Sequence, residues 1–600
     1  MQANRSLSFF LGLFFLVLSG LVLGSLSVAS PAQESARAPG ARAAFDSSAE
    51  LPRVYVKSSL ADTPAPGKIH LVKADGDLQE AINHAVCGDT VELQAGATFS
   101  GKFVFPSKKC DDSHWIVLRT SAADSDLPPE GKRLTPCYAG VSSLPGRPEF
   151  GCSSTRNVMA KIEFGGRDSF GPIVFASGAN HYRFIGLEVT RAVPEQVVSN
   201  LISLEREAIV EHLVFDRMWI HGLPHAETAR GIQFAGSRYV AVVDSFFSDF
   251  HCMRKGTCVD SQAVSGGSGD NPMGPYKIEN NFLEAAAEDI IFGGSRATTT
   301  PADIVIRHNH MFRPLNWKPG NPNFIGGPDG QPFIVKNLFE LKNAQRVLLE
   351  GNILENTWGG FTQKGFAIVL TPKNQSNGTD NICPLCQVTD VTIRYNRIMH
   401  MASGFQIANI RSDTGGASTD GGRYSIHDNI LEDIDPKTYD GMGNFIMISG
   451  KVPPLHDVVM DHNTGFAPNA LLNVGGNADG PKMSNFVFTN NLVAAGDHQV
   501  ESVGGITNCA RKPEKLGPTG VLENCFVGFK FTHNAIVGGS GWPKDNISLR
   551  NLEAVGFANL REGRVDYHLR PDSRIKHAGT DGRDLGADID ALDSATTGVR

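Results

Sequence analysis

One short phrase recurs between residues 181 and 537 and constrains the fold more than any other feature of the chain. It reads apolar, polar, apolar, two polar residues, Asn or Asp, then apolar. The copies are HYRFIGLEV, HLVFDRMWI, YVAVVDSFF, YKIENNFLE, DIVIRHNHMF, VLLEGNILE, VTIRYNRIM, YSIHDNILE, VVMDHNTGF, FVFTNNLVA and FKFTHNAIV. Alignment gives one column of Gly186, Asp216, Asp244, Asn281, Asn309, Asn352, Asn396, Asn429, Asn463, Asn491 and Asn534. Three positions earlier stand Leu213, Ala241, Ile278, Ile306, Leu349, Ile393, Ile426, Met460, Phe488 and Phe531, with Ala241 the smallest member. Five positions earlier are Tyr239, Tyr276, Ile304, Val347, Val391, Tyr424, Val458, Phe486 and Phe529. Period-two alternation makes each phrase a strand with one buried face.

The copies lie 28 to 44 residues apart at irregular intervals, which excludes a meander of fixed hairpins. Repetition at this period points to a solenoid in which each copy is one coil. Asn suits a tight bend because it tolerates the left-handed backbone region, and stacked amides can bond to one another and to backbone. An Asn ladder beside an apolar stack predicts an all-β fold, a right-handed parallel β-helix. A propeller or sandwich with Asn at its turns is the competing architecture.

The flanks supply the rest of the organisation. Residues 1–29 have Arg5 before an apolar run and end on Ser27-Val28-Ala29, the pattern of an export signal; an uncleaved anchor is the alternative. Residues 30–68, rich in Ala, Pro, Ser and Arg, read as a flexible linker. The β-helix domain then spans 69–575, with a cap at about 69–110, an insertion at about 121–170 and a tail at 576–600 that closes the C-terminal end. In DLQEAINHAV, Leu78, Ala81, Ile82 and Ala85 share one helical face, suited to covering the open apolar end of the first coil. Net charge is −8 with no basic block, which speaks against nucleic acid as a partner. Ten cysteines in an exported chain make disulfides the default, with sequence neighbours as candidate pairs; for Cys383-Pro-Leu-Cys386 a loop-pinning disulfide competes with metal or redox use. The expected location is secreted, periplasmic or cell-surface, as a monomer without a membrane span after cleavage.

Function is expected where loops leave the scaffold. The longest interruptions are 250–275, 295–333, 357–388, 410–423 and 503–528, and in-register stacking would make them the walls of a groove. His221 and His225 are four apart, but in a loop with a Pro between them; His308 and His310 flank Asn309; both pairs read as turn residues before metal ligands. GGSG at 266–269 lacks the Lys of a phosphate-binding loop.

SRYVAVVDSFF (237–247), YKIENNFLE (276–284), EDIIFGG (288–294), DIVIRHNHMF (303–312) and GADIDAL (586–592) resemble the pectate-lyase-like superfamily of right-handed parallel β-helix proteins. The resemblance implies an acidic, uronic-acid polysaccharide as partner and cleavage by β-elimination, with calcium or a basic group neutralising the substrate carboxylate and a base taking the C5 proton. It implies metal ligands at Asp244, Asp260, Glu288 and Asp289. Asp244 matches an Asp in a WIDH-type strand, although Ser245 stands where His follows, and a turn cap is its competing role. The family's catalytic Arg lies in an R-x-P-x-x-R phrase; here RPLNWKP offers Arg313 and Lys318, and the full phrase is absent. Lys336 is the third candidate catalytic residue. Trp317, Trp358 and Lys342 are candidates for binding substrate, the aromatics by stacking on sugar rings; packing of a loop is the other use of a Trp. Two rivals stay open: a glycoside hydrolase, which needs two carboxylates across the groove with no basic residue between them, and a surface protein that only binds carbohydrate or is structural.

Overall fold

The structure, a computed structural model, describes residues 48–600 except 167–168, 195, 374–375, 378–379, 412–415, 506 and 562–563. The expected export signal and the linker up to residue 47 lie outside the described residues. Among those described, three parallel sheets run the length of the domain, with 15 strands in sheet A, 14 in sheet B and 12 in sheet C. Each coil visits A, B and C in turn: Ser237–Val243, Phe246–Ser248 and Gln262–Gly266 make one coil, and Tyr276–Glu279 begins the next. The chain is a right-handed parallel β-helix.

The recurrent phrase is the sheet A strand and its turn into sheet B, which explains why it was readable. Sheet C strands carry no such turn signature. Stretches expected as loops therefore contain strands: Gln262–Gly266 lies within 250–275, and Phe366–Leu370 within 357–388.

Register corrects the first copies. Phe215, Val242, Ile278, Ile306, Leu349, Ile393, Ile426, Met460, Phe488 and Phe531 pair strand to strand as one buried stack. Val242 fills the core position, and Ala241 faces outward beneath Val56 and Trp115. The left-handed residue is also one place before the ladder Asn. Gly186, Arg217, Asp244, Asn280, His308, Gly351, Tyr395, Asp428, His462, Asn490 and His533 all have φ between 49° and 66°. The ladder Asn is used for its amide instead. In Asn396, Nδ2 donates to Leu349 O, Arg394 O and Asn429 Oδ1, while Oδ1 accepts from the backbone N and Nδ2 of Asn352. The ladder begins at Ser245, whose backbone N donates to Asn281 Oδ1, and extends past Asn534 to Asn546.

Both ends are closed. Helix α1 (Leu78–His84), capped by Asp77 on Glu80 N, buries Leu78 and Ile82 over the first coil. At the other end α2 (Pro513–Cys525), kinked at Gly517, places Val521 and Leu522 on the core, and Trp542 stacks on Phe531. The tail does not close this end, as expected of 576–600. It runs back beside the ladder turn through α3 (Ile589–Thr596): Gly586 N donates to Asn490 O, Asp588 N to Asp428 Oδ1, and Val599 O accepts from Arg133. The turn column exposes left-handed backbone and charged side chains along a straight edge, and the tail supplies their partners.

Residues 48–66 likewise are not a free linker. They lie along sheet A, with Ala49 buried, Glu50 N on Asp390, Arg53 N on Asp303, and the Arg183 guanidinium bonded to Ser58 O, Ser59 O and Thr63 Oγ1. A second left-handed column, which includes Asp303, Arg346, Asp390, Arg423 and Asp457, presents alternating charges at this edge. The insertion is shorter than expected, since Ala160–Phe164 is already a sheet B strand. Five disulfides join sequence neighbours, Cys87–Cys110, Cys137–Cys152, Cys252–Cys258, Cys383–Cys386 and Cys509–Cys525.

Candidate active site

Long connections flank sheet C on both sides. Between B and C strands run 249–261, 313–338 and 358–365; between C and A strands run 267–275, 293–301, 371–386 and 503–525. Sheet C is therefore the floor between two rows of long loops. Its outward side chains are polar and linked from coil to coil: Asn200 Nδ2 donates to Gln233, Arg230 Nε to Gln262 Oε1, and Gln262 Nε2 to Glu288 Oε2.

At the middle of this floor stand Asp260, Glu288, Lys336, Glu340 and Lys342. Lys336 Nζ is 2.6 Å from Asp260 Oδ1 and 3.5 Å from Glu288 Oε1, so the ammonium sits between two carboxylates from successive coils. Lys342 Nζ is 3.4 Å from Glu340 Oε1, and Asn337 Nδ2 donates to Glu340 Oε2. Glu288 is fully buried, Glu340 nearly so, and the Asp260 side chain is 23% exposed, the most open of the three. Burial, then the neighbouring charge of Asp260, pushes the Glu288 carboxyl up to about 8. Burial acts on Glu340 in the same direction, but Lys342 and Lys336 outweigh it and hold Glu340 below the usual range. Burial works against the Lys336 ammonium, and Glu288 and Asp260 outweigh it, so Lys336 holds its proton more tightly than an ordinary lysine.

The structure gathers some predicted residues here and disperses others. Asp260, Glu288, Lys336 and Lys342 come together. Asp244 lies in the ladder turn, accepting from Gly131 N and Asn280 Nδ2. It is the turn cap and meets none of the other nominated ligands. Asp289 points behind the floor, where its Oδ1 accepts from Ala285 N beside Arg313. Arg313 is buried, and its N–H groups are taken by Ala285 O, Lys336 O, Thr357 Oγ1, Ala287 O and Asn337 O. It is a positioning residue that ties the Lys336–Asn337 backbone to the scaffold and offers nothing to a substrate. Lys318 pairs with Asp440 at 2.6 Å in a separate cavity of about 250 Å³ lined by Leu315, Asn321 and Tyr439.

Trp317 and Trp358 are buried with Phe333, Val335 and Tyr439 and present no face to a sugar. Loops this long need a core of their own, and these aromatics form it. Arg313 lies over Trp358 and Arg147 over Trp317. Arg147 also pairs with buried Glu284 and Asp249, fastening the 121–159 insertion to the groove wall. Phe361 is the loop aromatic that is exposed, at 52%. His221 bonds Gly222 O and Glu188, His225 bonds Gly326 O, and His308 bonds Thr597 O, so these histidines serve turns and loops.

Glu340, Gln262 and Arg230 were missed. Glu340 was within reach of pattern reasoning: in FELK the apolar Phe339 and Leu341 alternate with Glu340 and Lys342, which places both polar residues on one face. Gln262 and Arg230 carry no such signal, because a strand face is assigned only once the neighbouring coils are in place.

No family model matches this sequence, and no curated protein matches it. Solved structures do. A mannuronic-acid-specific polysaccharide family 6 lyase from human gut microbiota is 13% identical, with 80% of this chain and 91% of that chain covered and a TM-score of 0.40. A pectate lyase is 11% identical, with 88% and 97% covered and a TM-score of 0.30. A bacteriophage tailspike protein crystallised with a pentasaccharide is 11% identical, with 80% and 64% covered and a TM-score of 0.32. The likeness is one of fold.

Proposed function

We propose that this protein is an exported polysaccharide lyase that cleaves an acidic, uronic-acid-containing chain by β-elimination on the floor of sheet C. The observation that carries this reading is Lys336, held between Asp260 and Glu288 on the sheet C face that long loops border. A cationic group between carboxylates suits the neutralisation of a uronate, which is what makes the C5 proton acidic. It does not suit the open pair of carboxylates that a hydrolase requires. The cluster of acids and bases likewise disfavours a purely binding role.

Lys336 and Lys342 are assigned the substrate carboxylate. Asp260, Glu288 and Glu340 offer the hard oxygen donors a calcium ion takes, and Glu288 Oε1 is buried without a hydrogen bond, so the donor chemistry fits. Calcium held there would supply further charge neutralisation. The tightly held proton of Lys336 makes it the neutralising cation rather than the base. Arg313 holds the backbone of Lys336 in place.

A hydrolase has one observation in its favour: the opposed shifts of Glu288 and Glu340 resemble an acid and its conjugate partner. One assay divides the readings. The purified protein is incubated with a panel of uronic-acid polysaccharides, with and without chelator, and the ultraviolet absorbance of the unsaturated product is followed beside reducing ends. Elimination predicts both signals, lost in Lys336→Met. Reducing ends without absorbance would establish hydrolysis instead, and neither signal on any acidic chain would sink the enzyme reading for those substrates.

A further inference from the structure

Away from the groove, Asp112, His181 and His212 bring one carboxylate oxygen and two imidazole nitrogens within 4.8 Å of one another. His181 and His212 occupy the same register position in adjacent sheet A strands, both with left-handed backbone at φ of 54° and 55°. Their rings stack at 4.4 Å with 7° between planes. Asp112 comes from a different element, the loop that follows the Cys87–Cys110 disulfide, and its side chain is 87% exposed.

Neighbouring groups prepare the rings. Asn180 Nδ2 donates to Lys108 O and Gly178 O, which fixes its amide so that Oδ1 accepts from His181 Nδ1. The other ring nitrogen, His181 Nε2, lies 3.2 Å from Asp112 Oδ1, a span across which an ion can take the place of a proton. A partner on the far nitrogen is the arrangement that orients a metal-binding imidazole. His212 Nδ1 is buried without a hydrogen bond. Trp115 packs edge-on against both rings, at 4.9 Å and 6.3 Å, and supplies an apolar wall.

We infer that Asp112, His181 and His212 form a binding site for a borderline divalent transition ion such as zinc or copper, which ties the disulfide loop of the N-terminal cap to two adjacent later coils. Two imidazoles and a carboxylate are the ligand set such ions prefer over calcium or magnesium. Bond lengths of about 2.0–2.1 Å place tetrahedral ligand atoms about 3.3–3.5 Å apart; the His181–Asp112 pair at 3.2 Å already meets this, while His212 has to approach and the two parallel rings have to turn until both in-plane nitrogens face one point. All ten cysteines are in disulfides, so no thiolate of the oxidised protein competes for the ion.

The test uses the intact protein, zinc by equilibrium dialysis, and copper by quenching of Trp115 fluorescence. Asp112→Asn removes an exposed ligand with little effect on packing, and His212→Asn keeps a residue tolerant of left-handed backbone. The expected result is one equivalent of zinc bound by the parent above either variant, or an affinity at least about tenfold tighter. Copper should quench the parent more strongly than both variants, and Trp115→Phe should remove that difference. Equal zinc stoichiometry and affinity in all three proteins overturns the assignment, as does a copper response that survives in Asp112→Asn and His212→Asn. Neither readout depends on the groove, so failure of the lyase reading leaves this result standing, and the reverse.

Discussion

Asn396 lies near the middle of the ladder, fully buried, and Asn396→Ala removes both of its roles. Asn352 loses the acceptor for its backbone N–H and for one N–H of its side chain. Leu349 O and Arg394 O lose a donor, and Asn429 Oδ1 keeps only the backbone N–H of residue 396. The Asn352 side chain keeps Ile306 O and Glu350 O as acceptors, so the orphaned group is its backbone N–H, and a buried donor left unmade costs about 1–3 kcal/mol, centred near 2. That is roughly thirtyfold in a local opening constant. A long repeat array need not unfold in one step, so the assay is native-state hydrogen exchange rather than a single melting point. Peptides covering residues 349–357 and 393–401 should exchange about thirtyfold faster, while α1 and the first coils are unchanged. Asn546→Ala, at the partly exposed end of the ladder where water can replace the amide, should cost less than a third as much. Unchanged protection in 349–357, or equal effects of the two substitutions, would refute the account of the ladder as a chain of obligatory hydrogen bonds.

Other outcomes follow from the same geometry. With calcium removed by chelator, kcat/KM of the residual activity should show an ionisation near pH 8 that disappears in Glu288→Gln, since the Glu288 proton is retained to about that pH in the metal-free cluster. Burial, then the charge of Asp216, raises the Asp244 carboxyl to about 6 despite the bonds from Asn280 and Gly131. The fold favours its neutral form, so its contribution to stability is full below the unfolded value of about 3.9 and is lost as pH rises through about 6. Asp244→Asn should therefore gain on the parent in denaturant titrations above that pH and not in acid, by less than about 3 kcal/mol because the amide keeps only one of the two acceptors that serve Gly131 N and Asn280 Nδ2. Tyr395 has φ of 54°, so Tyr395→Val should destabilise by about 1–2 kcal/mol more than Tyr395→Gly, measured by the denaturant midpoint.

Much of the fold was legible because the sheet A strand and its turn repeat the same physical demand in every coil. Apolar residues at alternate positions and an amide at the turn are local requirements, so they leave a local signature. The first three copies misled for the same reason. Ser245 stands where the ladder ends, and Asp244 and Gly186 satisfy the adjacent left-handed position, so a column aligned on Asn drew in residues doing a different task. The loops were located only coarsely, because sheet C strands have no turn residue to mark them.

The candidate site was half legible. Composition and resemblance nominated Lys336, Lys342, Asp260 and Glu288, and these converge. Arg313 was nominated by its place in a family-like phrase and Trp358 by residue type in a loop, yet the loops use them internally, the guanidinium to bind backbone carbonyls and the indole as core. Residue type does not reveal whether a side chain faces the groove or the loop's own interior.

The sequence by itself determined the coil, since each strand's buried face and each ladder amide is dictated by neighbours a few residues away and by the identical demand one coil above. Only the tertiary structure decided which charges meet. Lys336 reaches Asp260 across 76 residues, His181 lies over His212 across a coil, and residues 586–599 return along the ladder turn. Those contacts depend on strand register and on the paths of loops whose lengths follow no period, and no local pattern encodes either.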